Sequence, residues 1–408
     1  MKPAISPVVD RGEEVRLMEP LRLGEDSRQR LPLTELTVDL TARAAGFRRS
    51  LPPGVLRALA ELVRAMNCYY SNLIEGHDTH PVDIERAMRA DYSREPRKRN
   101  LQREARAHVT VQQWIDQGAM TAAPTSREAI REIHRRFCEL LPEDLLVVED
   151  PDTAAREQIV PGELRARDVM VGSHMPVSAG AVPRFLARYE DAYGGLGRAE
   201  SILSAAAAHH RLLWIHPFLD GNGRVARLVS HATLLSALDT GGVWSIARGL
   251  ARRQAEYKAH LTACDQPRAG DTDGRGNLSE RALVEFTRFF LEACIDQVSF
   301  MESLVQPGRL RDRIMIWAEE EVRAGALPLK AGSVLEAALF RGELPRSDVA
   351  ALVDTGERQG RRIVSALIEA GVLQSTSSRA ALTIAFPARL AGRWLPGLFP
   401  ETGDTNRR

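Results

Sequence analysis

Apolar residues along most of the chain recur at the spacing that predicts a mainly α-helical protein. After Pro53 such a stripe continues to Met66, and Gly76 is a suitable stop for that helix. Residues 1–50 are charged, contain prolines and hold only short apolar clusters, so they predict an irregular arm packed on the body. The same periodicity predicts helices over residues 105–115, 126–141, 182–193, 201–215, 250–261 and 278–304.

Residues 162–183 break this helical pattern. Positions 169–171 are β-like, and the glycines and serines around them favour turns. The pattern predicts a β-hairpin whose main parts are residues 162–165 and 169–172, whereas residues 151–158 are predicted to be a loop. A plain surface hairpin without a functional role remains an alternative.

The last part of the chain has a different order of elements. After Pro328 the pattern predicts a helix, a short helix, a turn, a second helix and two β-like runs, which is the order of a winged helix-turn-helix domain. The elements from the short helix onward are predicted over residues 347–353, 357–370, 372–373 and 381–386.

Three arginines mark the outer side of the second helix of this domain. Arg358, Arg361 and Arg362 lie where phosphates or base edges are met in DNA complexes. However, Glu357 and Glu369 flank them, and the other basic residues of the domain are scattered. Protein docking or homodimer formation is therefore favoured over DNA binding, which stays as the weaker alternative.

Length and composition are those of an ordinary globular protein. The 408 residues suffice for two or three domains. We divide them into an N-terminal helical region (1–125), a helical core (126–307) and the winged-helix-like domain (308–408). The formal net charge of +1 gives no global reason to expect nucleic acid or an anionic membrane as partner.

Cysteine usage and hydropathy indicate a cytoplasmic protein. The four cysteines lie far apart without a CxxC pair, which favours reduced core thiols. No run of about 18 apolar residues occurs, so no transmembrane helix is expected.

A polar loop between two apolar helices carries the candidate chemistry. Its polar and glycine positions are His216, Asp220, Gly221, Asn222, Gly223, Arg224 and Arg227. A glycine-rich turn that leads into a helix N-terminus is an anion site, and arginines one turn apart match phosphate oxygens. A carboxylate suits Mg²⁺, and an imidazole can take up a proton near neutral pH. A turn between helices needs no ligand, but so many polar groups together favour function.

Residues 216–227 resemble the Fic family motif HPFx(D/E)GNGRxxR at every defined position. The resemblance implies a helical fold that transfers AMP from ATP to a protein hydroxyl. It implies that His216 is the general base for a Tyr, Thr or Ser hydroxyl and that Asp220 holds Mg²⁺. Pro217 and Phe218 would anchor the loop.

The resemblance also implies how the phosphates of ATP are held. Gly221, Asn222 and Gly223 would form an anion hole around the α- and β-phosphates. Arg224 would hold the β-phosphate and Arg227 the γ-phosphate. Phosphoryl-centred transfer of this kind consists mostly of positioning and charge stabilisation.

A second short motif precedes the loop. Ser71, Glu75 and Gly76 match the family's inhibitory pattern (S/T)xxxE(G/N). By resemblance, Glu75 would pair with Arg227 and occlude the γ-phosphate pocket. From the residues alone, Ser71 and Glu75 are a polar pair near a helix end, which is more often a solvated face.

Two further expectations come from the same resemblance. The hairpin predicted at 162–183 would lie over the active site and align the target protein by strand addition. Tyr257 is a candidate adenine contact, although Arg253 and Lys258 depart from the fuller family pattern and a half-buried packing role is equally compatible.

Metal sites other than the magnesium site are not favoured. His209 and His210 point in different directions on a helix, so zinc binding with His216 is disfavoured. Residues 271–280 resemble part of a calcium loop, but Ala269 stands at its first ligand position, so a helix-capping turn is preferred.

Three function classes remain at this point. The first is ATP- and Mg²⁺-dependent AMP transfer to a target protein or to the chain itself. The second keeps the fold but transfers UMP, phosphate or phosphocholine; the intact GNGR sequence favours nucleotidyl transfer over phosphate transfer. The third is a DNA-binding regulator with a vestigial nucleotide pocket, which the unbroken motif argues against.

Overall fold

The computed structural model describes residues 8–149 and 156–400, and helices dominate these ranges as predicted. The helices before the polar loop are α1 (Arg30–Arg49), α2 (Pro53–Ile74), α3 (Pro81–Met88), α4 (Pro96–Asp116), α5 (Arg127–Glu139), α6 (Val182–Tyr193), α7 (Arg198–Leu203) and α8 (Ala205–Ile215). Those after it are α9 (Asn222–Leu238), α10 (Ile246–Arg252), α11 (Gln254–Cys264), α12 (Glu280–Leu304), α13 (Pro307–Arg323), α14 (Ala331–Arg341), α15 (Asp348–Leu352), α16 (Glu357–Glu369) and α17 (Ala391–Trp394). Two antiparallel hairpins pair β1 (Val147–Glu149) with β2 (Arg156–Gln158) and β3 (Leu373–Gln374) with β4 (Thr383–Ile384). None of the helices in the described ranges is both long and apolar enough to cross a membrane.

Helices α8 and α9 form the centre of the fold. They pack against each other, and nearly all residues of α8 are buried, as expected for a helix that is apolar on all sides. Helices α2, α4, α5 and α7 pack around α9, while α6 and α12 pack on α8. The polar loop joins the two central helices, so it is held by the most buried part of the molecule.

Local side-chain caps explain two of the helix boundaries. The Ser126 hydroxyl accepts the Ala129 N–H at 3.1 Å and caps α5, which therefore begins at Arg127, one residue after the predicted start at 126. Before α12, the carboxylate of Asp273 accepts the Arg281 N–H at 2.8 Å. The helix-capping turn predicted there in preference to a calcium loop is therefore confirmed.

Helix α1 corrects the prediction of an irregular arm for residues 30–49, whereas residues 8–29 are irregular apart from a 3₁₀ turn at Val15–Met18. Leu33, Leu40 and Phe47 are buried along one side of this helix, which lies against α12. A seven-residue apolar repeat forms only a narrow seam. Charged residues lie between these positions, so the sequence shows no wide apolar stripe and the helix was not predicted.

The first hairpin forms earlier in the chain than predicted. Strand β2 ends the stretch that was predicted as a loop, and residues 151–155 of that stretch lie outside the described residues. Within residues 162–172, all of which are described, the backbone pairing is limited to a bridge from Val171 to His174. The predicted hairpin position is therefore wrong, because the Arg165 N–H donates to Pro217 of the polar loop and Val171 pairs only with His174, across a two-residue turn.

The C-terminal region contains the predicted order of helices followed by a hairpin, namely α14, α15, α16, β3 and β4. Arg358, Arg361 and Arg362 are exposed on α16, as expected. The region packs on α2, and the Tyr70 hydroxyl donates to the Leu398 carbonyl at 3.0 Å. The winged-helix assignment and the three domain boundaries stay predictions.

Candidate active site between helices α8 and α9

A short, tightly closed loop connects α8 to α9. It begins at His216, whose φ of 51° lies in the left-handed region. The Asn222 side chain accepts the Phe218 N–H at 3.0 Å and donates to the Phe218 carbonyl at 2.8 Å. Gly221, with φ 79°, leads into α9, and the buried Phe218 ring stacks on His134 with centroids 3.9 Å apart. The loop is thus fixed at a helix N-terminus, whose first N–H groups attract anions.

His216 is a neutral base at physiological pH. Its Nδ1 lies 3.4 Å from the Leu213 carbonyl oxygen. Because a carbonyl only accepts, Nδ1 carries the proton of the neutral ring and Nε2 keeps a free lone pair. Burial lowers the pKa of His216 to about 4, although the Leu213 carbonyl and Asp220 act in the opposite direction. The surroundings of His216 therefore favour the neutral imidazole, with Nε2 available as an acceptor.

The buried guanidinium of Arg165 holds the backbone of His216 in place. Its Nε donates to the His216 carbonyl at 2.8 Å, and its Nη groups donate to the carbonyls of Arg167 and Val177. Its own backbone N–H donates to the Pro217 carbonyl at 2.9 Å. Sequence reasoning assigned Arg165 only to the predicted hairpin and missed this positioning role, for which no local pattern gives a signal.

The structure brings Ser71 and Glu75 of the second motif onto Arg227. The Arg227 Nε donates to the Ser71 hydroxyl at 2.8 Å, and Nη2 donates to the Glu75 carboxylate at 2.5 Å. The Arg227 side chain is 3% exposed and that of Glu75 is 34% exposed. Glu75 therefore takes up a donor of Arg227 on the side of the guanidinium that lies near Gly223 of the loop.

Glu75 is held as a carboxylate against the loop. Burial by itself would raise the pKa of Glu75, but the charge and hydrogen bond of Arg227, together with Arg224 and His77, bring that pKa below its ordinary value. A Cβ at Gly223 would lie 2.3 Å from the nearer Glu75 oxygen, so only glycine leaves room for this contact. Gly223 thus lets a carboxylate, or a phosphate in its place, approach the backbone closely.

The other motif arginine also faces a carboxylate. Arg224 Nη2 lies 3.5 Å from Glu104 Oε2, and the guanidinium lies over the Phe137 ring. Glu104 comes from α4 and also bonds to His77 Nδ1 at 3.0 Å. Sequence reasoning missed Glu104, His77 and the loop-supporting His134, because each comes from a different part of the chain.

Asp220 is exposed at the loop and is the predicted magnesium ligand. No group of three or more His, Cys, Asp or Glu side chains suited to a metal occurs in the described ranges. A single exposed carboxylate beside an anion-binding helix N-terminus fits Mg²⁺ that arrives with a nucleotide, since Mg²⁺ commonly uses one or two carboxylates plus substrate phosphates.

Tyr257 lies beneath the site, with its hydroxyl in the core. It is 2% exposed, and the hydroxyl lies 2.7 Å from His209 Nε2, whose Nδ1 lies 2.8 Å from the Ser230 hydroxyl. This burial favours packing over adenine contact and goes further than the half-buried role expected. His210 Nε2 lies 3.0 Å from the Asp265 carboxylate and is engaged separately from His209.

Comparisons with known proteins identify the same family as the sequence motif of the loop. Residues 124–234 match the model of the Fic/DOC family. Protein adenylyltransferase Fic from Culex quinquefasciatus is 36% identical over 99 residues, which cover 23% of this chain and 19% of that protein. The protein of the same description from Drosophila willistoni is 38% identical over 78 residues, covering 19% of this chain and 16% of that protein. The chain therefore spans less than a fifth of the length of these curated relatives.

Two solved structures also match the chain, both with TM-scores below 0.5. A Fic family protein from Desulfovibrio desulfuricans G20 has a TM-score of 0.49 at 16% identity, covering 86% of this chain and 96% of that chain. A Fic domain containing signaling protein from Bacteroides thetaiotaomicron VPI-5482 has a TM-score of 0.47 at 19% identity, covering 65% of this chain and 95% of that chain. With the loop geometry and the family match together, residues 124–234 are a Fic/DOC family domain.

Proposed function

We propose that this protein is an adenylyltransferase that moves AMP from ATP to a Tyr, Thr or Ser hydroxyl of a target protein or of itself. The observation that carries the proposal is the neutral imidazole of His216 at one end of a loop that leads into the N-terminus of α9. The description of the curated relatives as protein adenylyltransferases supports it.

The loop supplies the groups that the transfer needs. The target hydroxyl attacks the α-phosphorus, His216 Nε2 takes the hydroxyl proton, and pyrophosphate leaves as the bond to the β-phosphate oxygen breaks. The first N–H groups of α9 and the guanidiniums of Arg224 and Arg227 hold the phosphates. Asp220 would hold Mg²⁺, which offsets the charge of the phosphates.

The side chain of Asn222 holds the loop closed and does not itself contact phosphate. Both ends of its side chain are used on the Phe218 backbone. Any contact of Asn222 to phosphate is therefore made by its backbone N–H, whereas the side chain keeps the loop closed.

The ground state is restrained by Glu75. ATP must displace this carboxylate from Arg227 to place its γ-phosphate there, and the carboxylate also repels the phosphate chain. We therefore propose that the wild-type chain is weakly active until Glu75 is moved or removed.

Labelling with two forms of ATP tests the proposed reaction. Protein incubated with Mg²⁺ and Glu75→Gly enzyme should gain label from α-³²P-ATP and none from γ-³²P-ATP, and His216→Ala in the same background should abolish the label. Label from γ-³²P-ATP would indicate phosphate transfer and contradict the proposal.

A further inference from the structure

Arg224, like Arg227, faces a carboxylate, but a more distant one that comes from outside both motifs. Its side chain is 10% exposed and that of Glu104 is 12% exposed, with a nitrogen-to-oxygen distance of 3.5 Å. The Nε of Arg224 is buried without a hydrogen-bond partner. Arg224 therefore has donor capacity that Glu104 only partly uses, and a phosphate oxygen would compete with Glu104 for it.

Glu104 is an anion shared between two cationic groups. Burial would raise the pKa of Glu104, but the hydrogen bond from His77 and the charge of Arg224 outweigh burial and bring that pKa below its ordinary value. The second partner, His77, follows Gly76 directly and so belongs to the same turn as Glu75. The two carboxylates facing the phosphate site are thus linked through one imidazole.

His77 can change its charge near neutral pH. Its side chain is 36% exposed in a cavity between residues 76–83 and 95–104, so protons reach it from solvent. The charged groups that act on it most strongly are Glu104 from α4, Arg224 from α9 and Glu75 beside it. The same cavity is also lined by the charged or titratable side chains of Asp78, His80, Asp83, Glu95, Arg97 and Lys98. The Glu104 bond raises the pKa of His77 above its ordinary value, since it outweighs burial and the Arg224 charge.

We propose that Glu104 is a second restraint on nucleotide binding, acting on Arg224, and that protonation of His77 relaxes it. With His77 protonated, the Glu104 charge is balanced by the imidazolium and Arg224 is available to the β-phosphate. With His77 neutral, Glu104 is balanced chiefly by Arg224 and opposes the phosphates. The inference rests on the proposed function, because it assigns Arg224 to a nucleotide phosphate.

The direction of the pH effect follows from this balance. Nucleotide affinity rises as the pH falls through the raised pKa of His77 and weakens as the pH rises above it. The His216 pKa, lowered to about 4, lies outside this range, so His216 does not contribute to the change.

Titration calorimetry of ATP with Mg²⁺ tests the restraint in the Glu75→Gly background, where the first restraint is absent. At about pH 8 we expect the added Glu104→Gln change to tighten binding about fivefold to tenfold. Added Glu95→Gln is the matched control, because it removes an exposed carboxylate that borders the same cavity but does not touch Arg224. It should leave the affinity unchanged.

The pH dependence gives an independent readout. Glu75→Gly should bind ATP more tightly at about pH 6.5 than at about pH 8. Added His77→Asn should remove most of this difference, with the weaker affinity of about pH 8 at both pH values. Added Glu104→Gln should also remove it, but with the tighter affinity of about pH 6.5 at both pH values. Equal pH dependence in all variants would assign it to ATP itself and overturn the inference.

The two failures are distinguishable. Absence of ATP binding by Glu75→Gly itself would contradict the proposed function. Binding by Glu75→Gly that Glu104→Gln leaves unchanged would contradict only the second restraint.

Discussion

Removal of the Glu75 carboxylate should strengthen ATP binding about tenfold to a hundredfold. The Glu75 carboxylate and a phosphate charge of ATP about 4 Å from it would repel each other by about 4 kcal/mol at an effective dielectric constant of about 20. Because the Glu75 side chain is one-third exposed, solvent screening lowers this term. We expect a net gain of about 1.4–3 kcal/mol, which is one to two powers of ten in Kd.

Titration calorimetry with ATP and Mg²⁺ measures this effect on the wild type, Glu75→Gly and Glu75→Gln. The glutamine variant keeps the shape of the side chain and removes only its charge. Glu61→Gln is the matched control, because Glu61 is an exposed carboxylate on the same helix, α2. Its Kd should equal that of the wild type.

Thermal unfolding gives a second measure of the same contact. Without ATP, Glu75→Gln should unfold at a lower temperature than the wild type, because Arg227 is left buried without its counter-charge. Saturating ATP should stabilise the variant more than the wild type. Equal Kd values for the wild type and both Glu75 variants would refute the reasoning.

His216→Ala should lower the transfer rate about a hundredfold to ten-thousandfold in the radiolabel assay and leave the calorimetric Kd for ATP nearly unchanged. Since the pKa of His216 is lowered to about 4 and the base must be unprotonated, transfer at saturating ATP should stay constant from about pH 7 to about pH 5 and then fall; a fall centred near pH 6.5 would contradict this. Arg165→Met should lower kcat about tenfold to a hundredfold with little change in the KM for ATP, and Arg165→Lys should restore part of it. Asn222→Ala should destabilise the protein by about 1–3 kcal/mol in denaturant unfolding, because two buried backbone groups lose their partner.

The candidate site could be predicted where its groups are neighbours in the chain. Residues 216–227 lie on one loop and the following turn of α9, so their spacing alone brings them together. Ser71 and Glu75 are one helical turn apart and were predicted as a unit. The family resemblance implied the contact of Glu75 with Arg227, whereas its geometry depends on how α2 packs on α9.

Groups contributed by distant helices could not be predicted. Glu104 is one of many charged residues of α4, and nothing in its neighbours distinguishes it. His134 reaches the loop only because α5 packs on α9 and sets its ring on Phe218. These contacts are products of tertiary packing, which a local pattern does not contain.

The secondary structure, too, was predicted correctly only where the local sequence pattern is strong. Wide apolar stripes such as that of α2 were predicted correctly, because burial on one face leaves a strong period. Helix α1 was missed, since its seam of Leu33, Leu40 and Phe47 is narrow. The hairpin was misplaced because the β-like residues at 169–171 pair only through a bridge from Val171 to His174 and not with a neighbouring strand.

Intact-mass spectrometry of the Glu75→Gly protein after incubation with ATP and Mg²⁺ tests the central claim most directly. The account predicts a protein species heavier by one AMP group, absent when His216→Ala is added. A species heavier by one phosphate group, or an AMP adduct that persists in the His216→Ala variant, would contradict AMP transfer by this loop.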